Sequence, residues 1–143
     1  MLVAQDQLVA GTWPDNEPEV AMLDWQTGEP NAKFWATQLL ARTVGQAREK
    51  RVVHATVAGK GAGALYALPY VLNGSRAVML VNKAAAPLDV VLGGVCGGQA
   101  TVVEAGGVTP GFQPPLTRNL SDHGALRLGP FAVAVVQEHS RCG

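Results

Sequence analysis

The sequence predicts a mostly β protein that ends in an antiparallel β-sandwich. After Gly45 no helical period of useful length appears, and short β-rich runs are separated by Gly, Pro and Asn. The runs recur roughly every ten residues with turn residues between them, a spacing typical of a sandwich. They cover residues 51–58, 64–72, 77–82, 88–92, 99–104, 125–128 and 131–138.

Within this part, one turn and one strand are predicted most directly. Asn73-Gly74 predicts a tight hairpin turn, because both residues tolerate a positive φ. The run 131–136 is apolar on both faces, which indicates a central strand. Residues 106–116 carry prolines and glycines, and we expect them to form a long surface connection.

One helix can be identified with its start, its apolar face and its end, over residues 31–45. Asn31 is a good N-cap because its side-chain oxygen accepts a hydrogen bond from a free N–H of the first turn. Pro30 keeps the helix from starting earlier. Gly45 stands where a left-handed C-terminal cap is expected. The apolar stripe is large for so short a helix and must pack on something bigger; it consists of Phe34, Trp35, Ala36, Leu39, Leu40 and Val44.

The residues before this helix look like the end of a larger α/β domain. We predict a short strand at 2–4, a loop over 11–19 and a second strand at 20–25. Residues 1–46 are too few to have a core of their own. The sequence therefore divides into residues 1–46, the end of such a domain, and residues 47–143, the sandwich.

Composition excludes several classes of function. Of the 143 residues 48% are hydrophobic and 15% charged, which fits a packed core and argues against disorder. Lys+Arg and Asp+Glu both number 11, so no basic excess indicates nucleic-acid binding. No apolar run approaches the roughly 20 residues that span a bilayer. The first residues lack the basic and apolar regions of a signal peptide.

Three N-terminal stretches form a recognisable series: Gln7–Gly11, Met22-Leu23-Asp24, and Pro30–Trp35 with its following leucines and glycine. This series resembles the end of the catalytic barrel in heparanase-like glycoside hydrolases (family 79). It extends as a weaker pattern into the sandwich, at Ala64–Ala67, Val78–Lys83 and Leu128–Val133. This implies that the last strand and last helix of a (β/α)8 barrel precede the C-terminal β-sandwich.

The family resemblance also implies an activity for the intact enzyme. Its members are retaining glycosidases with two glutamates, an acid/base and a nucleophile, and retention needs carboxyl groups about 5 Å apart. In this register both glutamates lie upstream, so we expect the isolated chain to be inactive. The implied partners are an oligo- or polysaccharide and the remainder of the barrel, with no cofactor and no metal. An extracellular or secretory location is implied too.

One position departs from the family pattern. Heparanase-like enzymes have a glycine and then a tyrosine before the strand that ends at Asp24, and these help to hold the carboxylate of the sugar. Val20 stands at the tyrosine position here, after Pro18-Glu19. The departure argues against specificity for uronic acids.

Four residues are candidates for the substrate side. Asp6 and Gln7 fall at the expected carboxyl end of barrel strand eight, where barrel enzymes place functional groups. Asp24 and Trp25 put a carboxylate beside an aromatic ring, an arrangement found at sugar sites. The structural alternatives stay open: Asp24 can cap a turn, and Trp25 can be core between barrel and sandwich.

The remaining candidates concern modification. Cys96 and Cys142 either pair in an oxidising compartment or are two unrelated thiols. Asn73 and Asn119 begin two Asn-x-Ser glycosylation sequons, each in a predicted loop. No Cys/His grouping has metal-ligand spacing. His54, inside a predicted strand, the run 121–123 (Ser-Asp-His) and the glycine-rich run 59–63 are all predicted to be structural.

The rival function comes from another class. A free-standing β-sandwich that binds carbohydrate or a protein partner would need no catalytic residues. Such a module has no use for residues 1–45, whose apolar faces would be exposed. The isolated helix is therefore the feature that separates the two interpretations.

Overall fold

A computed structural model describes residues 22–23, 28–45, 47–95, 97–104 and 114–138 of the chain. The regular structure in these residues consists of one α-helix and eight β-strands, with one short 3₁₀ helix. The helix is α1 (Ala32–Gly45), and a short 3₁₀ helix spans Ala62–Ala64. The strands are β1 (Lys50–Val52), β2 (Leu65–Leu72), β3 (Ser75–Asn82), β4 (Leu88–Val91), β5 (Gln99–Val103), β6 (Leu116–Asn119), β7 (Ala125–Leu128) and β8 (Val133–Gln137).

The strands form two antiparallel sheets that face each other. The large sheet has the order β1-β2-β3-β8-β5-β6, and the small sheet pairs β4 with β7. Every pair of neighbouring strands is antiparallel. The predicted mostly β, antiparallel sandwich is thereby confirmed, and the all-apolar run that predicted a central strand does form β8, between β3 and β5.

The main core lies between the two sheets. Side chains alternate between the faces of a strand, so every second residue of the large sheet points toward the small one. Leu80, Val102 and Val136 come from the large sheet and meet Leu126 and Leu128 of the small sheet. Small residues at Ala100 and Ala134, both fully buried, let the sheets approach closely.

The opposite face of the large sheet carries helix α1. Leu39 packs with Val103 of β5 and Val135 of β8, and Trp35 joins the same cluster. Phe34 and Trp35 meet edge to face, with ring centroids 5.2 Å apart. The sandwich is therefore the larger element on which Trp35 and Leu39 of the apolar stripe pack.

Helix α1 begins as predicted and ends differently. The Asn31 side-chain oxygen accepts a hydrogen bond from the N–H of Phe34 at 3.1 Å, which is the expected N-cap. Gly45 is the last helical residue and does not adopt a positive φ, so the predicted left-handed cap is wrong at this position. Near the end, the Thr43 hydroxyl donates a hydrogen bond to the carbonyl oxygen of Leu39 at 2.6 Å.

Two strands differ from their predicted bounds. β1 ends at Val52, although the run 51–58 predicted one strand; the N–H of Val53 still donates to the carbonyl oxygen of Pro69 at 3.0 Å, and residues 54–58 are irregular. β6 was not predicted, because its sequence Leu-Thr-Arg-Asn has no apolar alternation. β6 forms because its backbone pairs with β5 over four residues at the edge of the sheet.

The turn at Asn73-Gly74 joins β2 to β3 as predicted. Both residues have a positive φ, 50° and 85° respectively, which suits a two-residue hairpin turn. The turn fixes the longest strand pairing among the described residues, with eight residue pairs from Leu65–Asn82 to Leu72–Ser75.

Candidate functional site

Six of the predicted site residues lie outside the described residues. They are the four substrate-side candidates and the two cysteines: Asp6, Gln7, Asp24, Trp25, Cys96 and Cys142. Their roles stay predictions. On either side of Asp24 and Trp25 in the sequence, Leu23 forms an isolated antiparallel bridge with Pro30. The carbonyl oxygen of Met22 accepts a hydrogen bond from the N–H of Asn31 at 3.0 Å.

The two predicted glycosylation sites have different surroundings. Asn73 is exposed in its turn, and its side-chain oxygen accepts hydrogen bonds from the N–H groups of Arg48 and Glu49, both at 3.1 Å. Asn119 is also exposed but is the last residue of β6, paired with Gln99, so its predicted loop position is wrong. The unpredicted strand β6 is the physical reason for that difference.

The carboxylates of Glu104 and Asp89 form ion pairs with arginines of β6 and β7. Glu104 meets Arg118 at 2.7 Å, and the same arginine donates to the carbonyl oxygen of Arg127 at 3.3 Å. Arg127 in turn meets Asp89 at 3.2 Å. These contacts join β6 to β7 and β7 to β4, so the charges have a structural use.

Metal, triad and phosphate chemistry find no support in the described residues. No group of three His, Cys, Asp or Glu side chains among them could hold a metal ion. The Ser121 hydroxyl accepts a hydrogen bond from the N–H of Ala125 at 3.0 Å and so shapes a turn. His54 is exposed and lies just after β1 instead of inside a strand. In this part of the chain, no helix is long and apolar enough to cross a membrane.

One end of the large sheet presents half-exposed aromatic rings. Tyr66 in β2 is 50% exposed and lies opposite Val81 of β3. Phe131, 53% exposed, lies at the same end, where its N–H donates to the carbonyl oxygen of Ala84. Val133 continues the row from Val81 toward the cluster under α1. An apolar surface thus extends from the edge of the helix to the end of the sheet.

A cleft of about 680 Å³ opens between the two sheets on the side of β1 and β2. One wall is β4 with the residues that follow it, and the other is the irregular stretch 53–58. The floor is aliphatic and includes Pro69, Val71 and Val78 of the large sheet. The small sheet, with two strands, therefore leaves part of the inner face of the larger sheet uncovered.

Charged side chains stand at one end of the cleft. Arg51, Val71 and Arg76 are cross-strand neighbours, and Glu138 follows β8 beside Arg76. The side chain of Glu138 is only 8% exposed; its Oε2 lies 3.9 Å from Nε of Arg76, while Oε1 has no hydrogen-bond partner among the described residues.

Sequence reasoning did not find this cleft. Its walls are backbone edges, and no side-chain pattern indicates whether the edge of a strand is paired. The run 51–58 does predict a strand, and only the fold shows that its second part, residues 54–58, is irregular. On the same sheet, burial raises the pKa of Tyr70 to about 12, and its hydroxyl has no hydrogen-bond partner among the described residues.

Residues 71–136 match the family model of the C-terminal immunoglobulin-like domain of D-apionate lactonase. The matched region runs from the end of β2 to β8 and is a little under half of the chain. It supports the interpretation of this part as an immunoglobulin-like β-sandwich. Among curated protein sequences, none matches the chain significantly.

Two solved structures of glycoside hydrolase family 30 share the fold. An endoxylanase from Clostridium papyrosolvens C71 is 12% identical with a TM-score of 0.59, over 82% of this chain and 30% of its own. A subfamily 8 xylanase from Clostridium acetobutylicum is 14% identical with a TM-score of 0.58, over 83% of this chain and 30% of its own. The chain thus spans about 30% of the length of these enzymes and shares the fold of that part.

Proposed function

We propose that this chain is the C-terminal portion of a carbohydrate-active hydrolase, in which the sandwich supports a catalytic (β/α)8 barrel. The observation that carries the proposal is the shared fold with part of two xylanases, together with the match to the C-terminal domain of a lactonase. In this proposal residues 1–46 end the barrel and residues 47–143 form the sandwich.

The extent of the structural likeness supports a role for the helix. Residues 50–138, from β1 to the end of the sandwich, make up less than two thirds of the chain. The likeness to the xylanases covers 82% and 83% of it, so it includes residues beyond the sandwich. Helix α1 is the regular element outside the sandwich in the described residues. A free-standing sandwich has no use for such a helix, which favours the enzyme over a non-catalytic binding module.

The apolar surface beside α1 is where the barrel would dock. Trp35 and Leu39 already pack on the sandwich, while Tyr66 and Phe131 leave about half of their surface exposed at one end of the sheet. Exposed aromatic surface of this kind usually marks a contact between domains or proteins. The helix would then be shared between the two domains.

The finer assignment within this proposal is a heparanase-like, retaining enzyme. It rests on the motifs of the first 45 residues, and its two catalytic glutamates would lie upstream of Met1. Asp6, Gln7, Asp24 and Trp25 are its proposed substrate-side residues. The valine at position 20 in place of the family tyrosine favours a sugar without a carboxylate.

A second candidate reaction is the hydrolysis of a sugar lactone. The family match over residues 71–136 favours it, because that family is described as the C-terminal domain of a lactonase. In both cases the sandwich would support the barrel in the same way, and the difference between the two reactions would lie in the barrel.

The test compares this chain with the longer polypeptide encoded in frame upstream of it. We expect the longer protein to hydrolyse xylan, an aryl β-glucoside or an aryl β-glucuronide with retention, followed by NMR of the first-formed anomer. Opening of aldonolactones by the same sample would instead support the second candidate. Turnover by the 143-residue chain alone would contradict the proposal, since it would place a catalytic pair among its own carboxylates.

Secretion and glycosylation also belong to the proposal. Asn73 and Asn119 are exposed and accessible to modification. Expression of the longer protein in a eukaryotic secretory host should give a glycosidase-sensitive mass increase, lost in the Asn73→Gln/Asn119→Gln double variant. If the secreted product were unmodified, the sequons would no longer support a secretory location.

A further inference from the structure

The Asn73-Gly74 turn also holds the segment that leads from helix α1 into β1. The side-chain oxygen Oδ1 of Asn73 accepts hydrogen bonds from the N–H groups of Arg48 and Glu49, both at 3.1 Å. The N–H of Asn73 donates in turn to the carbonyl oxygen of Glu49 at 3.1 Å. Three hydrogen bonds at one exposed residue therefore attach residues 48–49 to the β2–β3 hairpin.

The surroundings of this turn favour attack by the backbone nitrogen of Gly74 on the side-chain amide of Asn73. Asparagine is a chemically labile residue, and the next nitrogen in the chain can attack its amide because the attack closes a five-membered ring. Gly74 has no side chain to hinder the approach, and nothing lies within 4 Å of the place where a Cβ would stand. Its N–H donates no backbone hydrogen bond among the described residues, so base can reach the proton.

The hydrogen bonds on Oδ1 assist the same attack. When the nitrogen of Gly74 adds to Cγ of Asn73, negative charge develops on Oδ1. The N–H groups of Arg48 and Glu49 already point at this oxygen. They therefore stabilise the developing charge in the way that the donors of an oxyanion hole do.

Two other asparagines in the described residues lack this combination. Asn82 is fully buried, and the N–H of the following Lys83 donates to a backbone carbonyl oxygen at 2.8 Å. Asn119 is exposed, but the N–H of the buried Leu120 donates to a backbone carbonyl oxygen at 3.0 Å. In both cases the nitrogen that would attack is held in a hydrogen bond and belongs to a residue with a large side chain. Asn73 differs from them in having an exposed amide next to an unhindered nitrogen.

We propose that Asn73 is a site of non-enzymatic modification, at which the folded chain loses ammonia through a succinimide. The nitrogen of Gly74 gives its proton to solvent and bonds to Cγ of Asn73, and Nδ2 takes up a proton and leaves as ammonia. Water then adds to one of the two ring carbonyl carbons, and the bond from that carbon to the nitrogen breaks. Opening at Cγ gives aspartate, and opening at the main-chain carbonyl carbon gives isoaspartate.

The proposal is independent of the proposed function, because the reaction involves water and base and no substrate. It does bear on the glycosylation sequon, since a glycan would be attached to the same Nδ2 that leaves as ammonia. Asn73 of one molecule therefore carries either a glycan or the products of deamidation.

The two products affect the fold differently. Aspartate keeps an acceptor for the N–H groups of Arg48 and Glu49, and its charge strengthens both hydrogen bonds. Isoaspartate carries the main chain through Cβ and Cγ, so the turn becomes one carbon longer and the oxygen that held these N–H groups is displaced. A two-residue turn fixes the register of its strands, and the added carbon disturbs it. Isoaspartate at position 73 therefore releases residues 48–49 and loosens the connection between α1 and β1.

Peptide mapping by mass spectrometry measures the reaction. The unglycosylated 143-residue chain is incubated at mildly alkaline pH without denaturant, and the peptides with Asn73 and Asn119 are followed in the same sample. The Asn73 peptide should gain about 1 Da at a rate at least about tenfold that of the Asn119 peptide. Part of the product should be a substrate of an isoaspartate-specific methyltransferase. Equal rates at the two asparagines would overturn the proposal.

Two variants test whether the reaction proceeds by this route and in the folded state. Gly74→Ala should slow the mass gain at Asn73 at least about tenfold, because the added methyl group hinders the attacking nitrogen. Gly124→Ala destabilises a turn beside the small sheet and increases the unfolded population, yet it should leave the rate at Asn73 within about twofold of the parent rate. An unchanged rate in Gly74→Ala, or a rate at least about tenfold higher in Gly124→Ala, would contradict a reaction of the folded turn.

Hydrogen–deuterium exchange tests the structural consequence. In the chromatographically purified isoaspartate form, the amides of Arg48 and Glu49 should exchange at least about threefold faster than in the parent chain. Asn73→Asp is the matched control and should exchange no faster than the parent at these amides, because it keeps the acceptor. The amide of Val53, bonded to the carbonyl oxygen of Pro69 at 3.0 Å, is the internal reference. Equal exchange at Arg48 and Glu49 in the isoaspartate form and in Asn73→Asp would overturn the release of residues 48–49.

Discussion

The side-chain amide of Asn82 donates a hydrogen bond to the carbonyl oxygen of Gly129 at 2.8 Å. Asn82 ends β3 and is fully buried, while Gly129 follows β7. The same amide nitrogen donates to the carbonyl oxygen of Ala86 at 2.8 Å, and the side-chain oxygen accepts from the N–H of Ala84 at 3.0 Å. One buried side chain thus joins the connections β3–β4 and β7–β8 and holds the small sheet over the large one.

Asn82→Asp should destabilise the fold by about 2–4 kcal/mol at neutral pH. The carboxylate keeps the acceptor for Ala84 but loses both donors, and it would be buried against two carbonyl oxygens. Urea unfolding of the 143-residue chain measures the loss. Asn119→Asp, at the exposed end of β6, is the matched control and should change the free energy of unfolding by less than about 0.5 kcal/mol. Similar losses for both variants would contradict the role of Asn82.

Gly124→Ala should be much more destabilising than Gly74→Ala. Both glycines have a positive φ, 69° and 85°, so both variants strain the backbone, by about 1 kcal/mol. At Gly124 the added Cβ would also lie 2.7 Å from the carbonyl oxygens of Leu92 and Val95, whereas at Gly74 nothing lies within 4 Å. We expect roughly 2 kcal/mol more loss at Gly124 in chemical unfolding. Equal losses would mean that the 92–95 turn moves aside freely.

The sequence predicted the sandwich because its determinants are local. Turn residues such as Asn73-Gly74 favour a positive φ. Apolar runs such as that of β8 favour burial on both faces. Both features can be recognised in a short window of sequence. The N-cap at Asn31 is likewise a local hydrogen bond, to Phe34.

What the sequence did not predict depends on distant partners. Strand β6 has no apolar alternation and is specified by the free edge of β5. Asn82 looks like an ordinary strand end, because its partner Gly129 lies 47 residues away. The cleft follows from strand edges that lack neighbours, and pairing of that kind is a property of the whole sheet. At Gly45 the helix ends without the left-handed cap that the sequence predicts, and nothing in the structure explains the difference.

Leu39→Ala should cost about 2–3 kcal/mol if helix α1 is part of the folded unit. Leu39 is the buried residue of the helix and packs against Val103 and Val135, so its truncation leaves a cavity at that contact. Thr37→Ala, on the exposed side of the same helix, is the control and should stay within about 0.5 kcal/mol of the parent chain. Urea unfolding followed by circular dichroism at a helical wavelength measures both. An equally small effect of the two variants would mean that the helix does not pack on the sandwich in solution.

Tyr70→Phe should abolish the decrease in folding stability that the parent chain shows at alkaline pH. Burial raises the pKa of Tyr70 from an ordinary value near 10 to about 12. The unfolded chain therefore releases the phenol proton first as the pH rises, and the fold loses stability between about pH 10 and 12, by at most roughly 2–3 kcal/mol.

Below pH 10 the same variant should be neutral or slightly stabilising, because the Tyr70 hydroxyl is buried without a hydrogen-bond partner among the described residues. Denaturant unfolding at pH 7, 9 and 11 measures the difference between the two proteins. Tyr66→Phe, at a ring that is half exposed, is the control for removing a phenol from β2 and should retain the alkaline loss. A Tyr70→Phe variant that loses stability at alkaline pH as steeply as the parent chain would show that this loss arises at another group.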